Sequence, residues 1–575
     1  MKKLMLGNEA VARGLYEAGC AVASSYPGTP STEITEYLAK YPEVYAEWAP
    51  NEKVACEVAI GAAIGGRRSF CAMKHVGLNV AADPIFTASY TGVNAGMVLA
   101  VADDPGMHSS QNEQDSRHYA IAAKLPMVEP ADSAECIAYI KAAYELSEEY
   151  DTPVLFRTST RIAHSQSLVE TTDRVELPLK EYVKDASKYV MVPGFAKKKH
   201  PKVEARQKAL TELAETTSLN QVIMGGTKVG IIAAGTTYQY AREVWGDEAS
   251  YLKLGLINPL PTKLIQDFAE KVETLYVIEE LDDIIETHCR KIGVKVIGKE
   301  LFPWIDEFSQ KLIAEKMKGP SEPTYAFGED VPVRPPVMCA GCPHRGLFYV
   351  LNKLKVTVSG DIGCYTLGAS APLNAMDTTI CMGASISALH GFNTARGEDS
   401  AAKSVAVIGD STFMHSGITS LTNISYNQGI STVIILDNSI TGMTGHQQNP
   451  TTGMTLKGDP TAKVSIEKVC DAVGINRVRV VDPYDLKATM AAVKEELAVK
   501  EPSVIISRRP CALLKYVKHN APVTVDNDKC RGCKSCLKLG CPGISVVDGK
   551  AVIDNTQCVG CGLCADLCGF GAISK

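Results

Sequence analysis

The sequence predicts a multidomain α/β protein built on parallel sheets, with a cysteine-ligated module at its C-terminus. Three observations carry that expectation. Short β-branched runs alternate with helix-length small-residue segments over most of the 575 residues, the pattern of strand, helix, strand units. Two such runs end in polar turns, Gly409-Asp410-Ser411 and Asp437-Asn438-Ser439, at the place where parallel sheets gather ligands. Many of the 19 cysteines crowd between Cys530 and Cys568, with the spacing of metal ligands rather than of a disulfide framework.

Length and composition narrow the class. A chain of this size holds three to five domains of about 100 to 200 residues each. A net charge of -6 argues against a nucleic-acid surface. No apolar run reaches the roughly 18 residues of a membrane span. The start, MKKLMLGNEA, lacks the apolar core of a secretory signal, so a cytoplasmic protein without membrane association is expected.

Taken in order, residues 1–165 read as a first α/β domain, with strands at Ala21–Tyr26, Ser69–Met73, Met97–Ala102 and Val154–Arg157. Residues 166–225 read as a polar linker region whose run Lys197-Lys198-Lys199-His200 is a solvated face. A smaller α/β unit spans 226–319, opening on VGIIAAG. A Pro-rich linker follows at 320–336, a second large α/β domain at 337–518 and the cysteine module at 519–575.

The stretch Ser404 to Gly445 sets the chemistry. Asp410 offers an anionic oxygen, Asn438 a neutral one, and Gly409 lets backbone approach a phosphate. Mg2+ takes few protein oxygens and completes its shell with water and substrate phosphate, so the pair reads as a metal-diphosphate seat; a solvated turn is the plainer reading. The stretch resembles the thiamine diphosphate motif, a Gly-Asp-Gly followed some thirty residues on by Asn. Ser411 stands in place of the second glycine, a departure shared by the aromatic branch of the 2-oxoacid ferredoxin oxidoreductases. The resemblance implies that Asp410, the Asn438 side chain and the Ile440 carbonyl hold Mg2+, with Gly409 and Ser411 against the cofactor.

The first domain adds substrate candidates. Ser24 to Ile34, SSYPGTPSTEI, is a strand end, a Pro/Gly turn and a capped helix start, either an anion seat or a cap alone. It resembles the family's Tyr-Pro-x-Thr-Pro-Ser segment, which implies that Thr29 meets the substrate. Glu52 precedes Gly77 at the family's spacing, which implies that it is the catalytic acid at N1' of the aminopyrimidine; an exposed first-turn glutamate is the alternative. Lys74 and His75 replace small residues of other branches, and two readings stay open for both: contact with the substrate, or packing and polar support. Arg117 aligns loosely with a carboxylate-binding arginine, whose fork suits that group, although a surface position would explain it equally.

The second large domain opens on CAGCPHRGLF, Cys339 to Phe348. Half a zinc site is one reading, but no second ligand pair lies near in sequence. With GDIGCYTLG, Gly360 to Gly368, and MGASI, Met382 to Ile386, it resembles the cofactor domain of the indolepyruvate branch. This implies that Cys342, His344, Cys364 and Gly383 neighbour the cofactor.

The tail reads Cys530-x2-Cys533-x2-Cys536-x4-Cys541-Pro542, then Cys558-x2-Cys561-x2-Cys564-x3-Cys568. Two such runs form a two-cluster bacterial ferredoxin pattern, in which the fourth cysteine of each run ligates the other cluster. One 4Fe-4S cluster takes Cys530, Cys533, Cys536 and Cys568; the second takes Cys541, Cys558, Cys561 and Cys564. Two departures stand out, an extra residue before Cys541 and Gly569 in place of the usual proline.

The resemblance therefore implies two thiamine-diphosphate-binding doubly wound domains, pyrimidine then diphosphate. A transketolase C-terminal-like domain lies between them and a two-cluster ferredoxin domain follows. It further implies oxidative decarboxylation of aryl 2-oxoacids such as indolepyruvate, with coenzyme A as co-substrate and ferredoxin as electron acceptor. A separate beta subunit, in an alpha2 beta2 heterotetramer, is expected. A non-oxidative thiamine decarboxylase with structural clusters, and an electron-transfer module of a larger complex, are the competing readings.

Overall fold

The computed structural model describes residues 2–320, 328 and 330–575. It divides into two compact units, Met1–Gly328 and Glu329–Lys575. Most of the predicted 320–336 linker up to residue 329 lies outside the described residues.

In the first unit one sheet orders its strands Leu256–Asn258, Met127–Val128, Val154–Ser159, Met97–Asp103, Ser69–Lys74, Val22–Ser25 and Tyr45–Trp48. All neighbours are parallel except Leu256–Asn258, which runs antiparallel to Met127–Val128. Every residue of Met97–Asp103 and Val154–Ser159 is buried, as central strands covered by helices on both faces require. From Val22–Ser25 the chain goes first to one neighbour, Tyr45–Trp48, and later to the other, Ser69–Lys74. That reversal is a topological switch point, so the turn after Ser25 and the turn after Lys74 border one crevice.

A second sheet in this unit orders Thr274–Ile278, Val229–Ala234, Ser250–Leu254 and Gln221–Ile223, the last antiparallel. The predicted 226–319 unit is thus a sheet of its own, yet its strand Leu256–Asn258 crosses into the first sheet. One core joins the two, packing Leu99 and Val101 with Ile232, Leu252 and Val277.

The 166–225 segment differs from the expected linker. Gln166–Glu170 pairs antiparallel with Lys2–Leu6, and Pro193–Ala214 is one long helix. Val203, Leu210 and Ala214 bury an apolar stripe at helical spacing, hidden in a composition otherwise polar enough to read as solvated.

The second unit holds an all-parallel sheet ordered Thr357–Ser359, Ser404–Gly409, Thr432–Asp437, Ser503–Arg508 and Arg477–Val481. Alternate residues face opposite ways. Val405, Val407, Ile434, Leu436 and Ile505 fill one core, while Ala406, Ile408, Val433, Ile435, Val504 and Ile506 fill the other. The tail adds two short ribbons, Ile544–Val547 with Lys550–Ile553 and Thr524–Val525 with Ile573–Ser574. Among the described residues no helix is long and apolar enough to cross a membrane.

Candidate functional site

In the second unit the ends of adjacent parallel strands deliver the expected pair. Asp410 begins the short helix Asp410–Thr412 straight after Ser404–Gly409, and Asn438 follows Thr432–Asp437. Asp410 is 2% exposed, and its carboxylate accepts from the Ser411 amide (2.7 Å) and the Thr451 hydroxyl (3.4 Å). Burial, with Asp437 adding repulsion, pushes its pKa up to about 7. Asp437 has Arg508 at 2.7 Å, whereas among the described residues Asp410 makes no ion pair and is a buried carboxylate lacking a counter-charge. A divalent cation fits that deficit. The Asn438 side-chain oxygen accepts only a long bond from the Ile440 amide, 3.3 Å, and Ser411 takes a bond from Thr441 at 2.9 Å.

A second carboxylate organises the surrounding turns. Asp361, fully buried, accepts from the amides of Ile362 (2.9 Å), Gly383 (2.8 Å) and Ser385 (3.0 Å). It thereby fixes the start of the helix Ala384–Arg396. Gly383 has φ +85°, and a Cβ there would meet Ser416 at 2.4 Å, so only glycine suits this turn. His344 lies edge-on to Tyr365 at 5.9 Å, and burial depresses its pKa to about 4, so it is neutral.

Four thiols gather beside this seat. Cys339 lies within electrostatic range of Cys342, Cys364 and Cys511, Cys364 also within range of Cys342 and Cys511, and Cys511 also feels Asp410. Burial first, then the neighbouring thiols, push Cys342 up to about 12 and Cys364 to about 11. The Cys511 amide donates to the Asn438 carbonyl at 2.9 Å, tying this group to the seat. Among the described residues no histidine, cysteine or carboxylate trio converges as on a single metal ion.

The tail groups its cysteines across the two runs. One cavity of about 380 Å³ is lined by Cys530, Cys533, Cys536 and Cys568; another of about 430 Å³ by Cys541, Cys558, Cys561 and Cys564. The second also touches Ala340 and Gly341, the residues between Cys339 and Cys342. Buried Arg345 donates to the carbonyls of Cys339 (3.1 Å) and Leu539 (2.8 Å), and so spans the two thiol groups. The extra residue before Cys541 is absorbed in the short turn Ser535–Leu539.

In the first unit Glu52 opens the helix Glu52–Ile64, whose cap Asn51 accepts from the Val54 amide at 2.9 Å. Glu52 is buried, and the fold brings Gly77 against it: a Cβ at residue 77 would stand 2.7 Å from the Glu52 Cγ and Oε1. Thr29 lies in the turn leading to Thr32–Leu38, and its carbonyl accepts from Ser109 at 3.4 Å. His75 is 1% exposed, and burial, then Lys74, lower its pKa.

Three family models match the chain. The pyruvate flavodoxin/ferredoxin oxidoreductase thiamine diphosphate-binding model covers residues 13–219, the C-terminal TPP-binding domain of thiamine pyrophosphate enzymes covers 361–507, and a 4Fe-4S binding domain covers 551–574. The indolepyruvate oxidoreductase subunit IorA of Methanothermobacter thermautotrophicus is 40% identical over 603 residues, covering 100% of this chain and 97% of its own. The chain belongs to the IorA subunit family. The IorA subunit of Pyrococcus horikoshii is also 40% identical, over 631 residues, with the same two coverages. A more distant relative, the 2-oxoglutarate synthase subunit KorA of Methanothermobacter thermautotrophicus, is 25% identical over 52% of this chain.

For this IorA-family chain two expectations change. Arg117 is not available to a substrate carboxylate. It is 2% exposed, and its guanidinium is spent on Asp115, on Glu279 at 2.6 Å, and on the carbonyls of Glu280 (3.0 Å) and Asp282 (2.8 Å). It is a strut between the first and second sheets of its unit. Cys511, conversely, is a residue that sequence reasoning passed over. Its signal was its position, three residues past the buried strand Ser503–Arg508 and on the same sheet edge as Asp410 and Asn438.

Proposed function

We propose that this chain is the alpha subunit of an enzyme that oxidatively decarboxylates aryl 2-oxoacids, indolepyruvate among them, with coenzyme A. It works with a separate beta subunit in an alpha2 beta2 assembly and passes electrons to ferredoxin. When bound, thiamine diphosphate supplies a nucleophilic carbon and a sink for the electron pair left as carbon dioxide departs. Asp410, the Asn438 side chain and the Ile440 carbonyl hold Mg2+ on the diphosphate, while the Asp361-anchored Gly383 turn and Gly409 admit it closely. Glu52, fixed by Gly77, holds the aminopyrimidine through N1'. Cys342, His344 and Cys364 line the cofactor's surroundings, and Thr29 and His75 border the substrate.

The observation that carries the oxidative reading is the chain of thiols. The Cys511 amide is bonded to the Asn438 carbonyl, its thiol lies within electrostatic range of Cys339, and Ala340 and Gly341, next in the chain, line the cavity of the second tail cluster. Thiols that lead from the seat towards a cluster cavity fit a one-electron route; a non-oxidative decarboxylase has no use for one. The middle sheet, as a transketolase C-terminal-like domain, is structural in this scheme.

The test is anaerobic. Chain and beta subunit are mixed with 2-oxoacids, with and without coenzyme A, while iron-sulfur absorbance is followed. Bleaching by arylpyruvates, and not by pyruvate or 2-oxoglutarate, supports the proposal. No bleaching in protein holding both cofactors returns the reading to a non-oxidative decarboxylase.

A further inference from the structure

A 2-oxoacid substrate carries a carboxylate, and with Arg117 committed elsewhere the first unit needs another cation for it. Lys74 meets that need. It ends the strand Ser69–Lys74 at the switch point, with the Thr29 turn on one side. Its aliphatic stem packs on that turn, since a Cβ at residue 28 would lie 3.4 Å from the Lys74 Cγ. Its ammonium donates to the carbonyl of Ser109 at 2.9 Å, and Ser109 in turn donates to the Thr29 carbonyl at 3.4 Å. Strand end, turn and the loop around Ser109 thus close on one lysine.

Lys74 is 9% exposed and forms no ion pair among the described residues. Asp104, the nearest acid in electrostatic terms, is occupied by the Ser109 amide (2.8 Å) and the hydroxyls of Ser110 (2.7 Å) and Thr160 (2.6 Å). An ammonium has three donors, and one carbonyl uses one of them. A buried cation with spare donors is unfavourable in the empty protein and favourable once an anion arrives. Burial lowers the Lys74 pKa, while Asp104 and Glu52 act to raise it.

We propose that Lys74 receives the carboxylate of the 2-oxoacid substrate, between the Thr29 turn and the Ser109 loop. The assignment rests on the function proposed above.

The experiment uses the holoenzyme with its beta subunit and compares Lys74→Met and Lys74→Arg with the wild type. Loss of a charge-assisted bond predicts that Lys74→Met raises KM for an arylpyruvate roughly 10- to 100-fold. Inhibition by 3-phenylpropanoate, a carboxylate without the 2-oxo group, should weaken in parallel. Bound thiamine diphosphate and KM for coenzyme A should stay at wild-type values, Lys74→Arg should recover part of the loss, and Tm should not fall. An unchanged KM for arylpyruvate overturns the assignment, as does a loss that falls on coenzyme A instead. A collapse of Tm in both variants also overturns it, because the lysine would then be a structural cation. Failure of the wild type to turn over any 2-oxoacid overturns the proposed function, and this assignment with it.

Discussion

Adding one methyl group at Gly77 separates the role of Glu52 from the stability of the fold. Gly77 lies inside the helix His75–Val80, where alanine is preferred over glycine by up to ~1 kcal/mol. The backbone therefore accepts Gly77→Ala. The side chain opposite does not: the new Cβ would stand 2.7 Å from the Glu52 Cγ and Oε1, against an ordinary contact of roughly 3.5–4.0 Å. Because both atoms belong to a rotatable side chain, relief comes from swinging the Glu52 carboxyl by about 1 Å while the helices stay in place. A displacement of that size at a catalytic group lowers rate by about 100-fold. The assay is the initial rate of dye reduction with an arylpyruvate at saturating thiamine diphosphate, paired with thermal unfolding. A Gly77→Ala variant with half the wild-type rate or more would refute the argument that Gly77 positions Glu52. A rate loss accompanied by a large fall in Tm would refute the claim that the side chain, and not the backbone, yields.

Other outcomes follow from the same geometry. Arg117→Met should lose about 3–5 kcal/mol of stability, read by denaturant unfolding, because Asp115 and Glu279 are left buried without their partner. Asp410→Asn should leave the unliganded chain at least as stable, since it removes an uncompensated buried charge, while abolishing the rise in Tm on adding thiamine diphosphate with Mg2+. Cys564→Ser should lower iron from roughly eight to roughly four atoms per chain in anaerobic protein, because one of the two cavities loses a ligand. Glu280 supplies a pH test. Burial, followed by repulsion from Glu129 and Glu307, raises its pKa to about 7, so between about 4.5 and 7 the native state holds a proton that the unfolded state has released. Stability should therefore fall with rising pH across that window, by at most about 3 kcal/mol. Glu280→Gln, which keeps an acceptor for the Phe308 amide, should flatten the slope in Tm against pH.

The linear sequence carried what depends on residue type and spacing. Strand identity was legible because an all-buried parallel strand is a largely continuous apolar run, as in Met97–Asp103, Val154–Ser159 and Thr432–Asp437. The place of Asp410 and Asn438 on one sheet edge followed from the strand, helix, strand order. The grouping of the tail cysteines followed from local repetition, the fourth of each run crossing to the other set. What the sequence could not carry was who meets whom over long separations. Arg117 looked like a ligand for substrate until the fold placed Glu279 against it, 162 positions away. Lys74 read equally as a substrate contact or as packing until the fold buried it and set its ammonium on the Ser109 carbonyl. Cys511 looked isolated until its amide met the Asn438 carbonyl. The reason is physical: spacing fixes local geometry through backbone dihedrals, but whether a charged group is spent or left over depends on every group the fold packs around it, and only the tertiary structure assembles that surrounding.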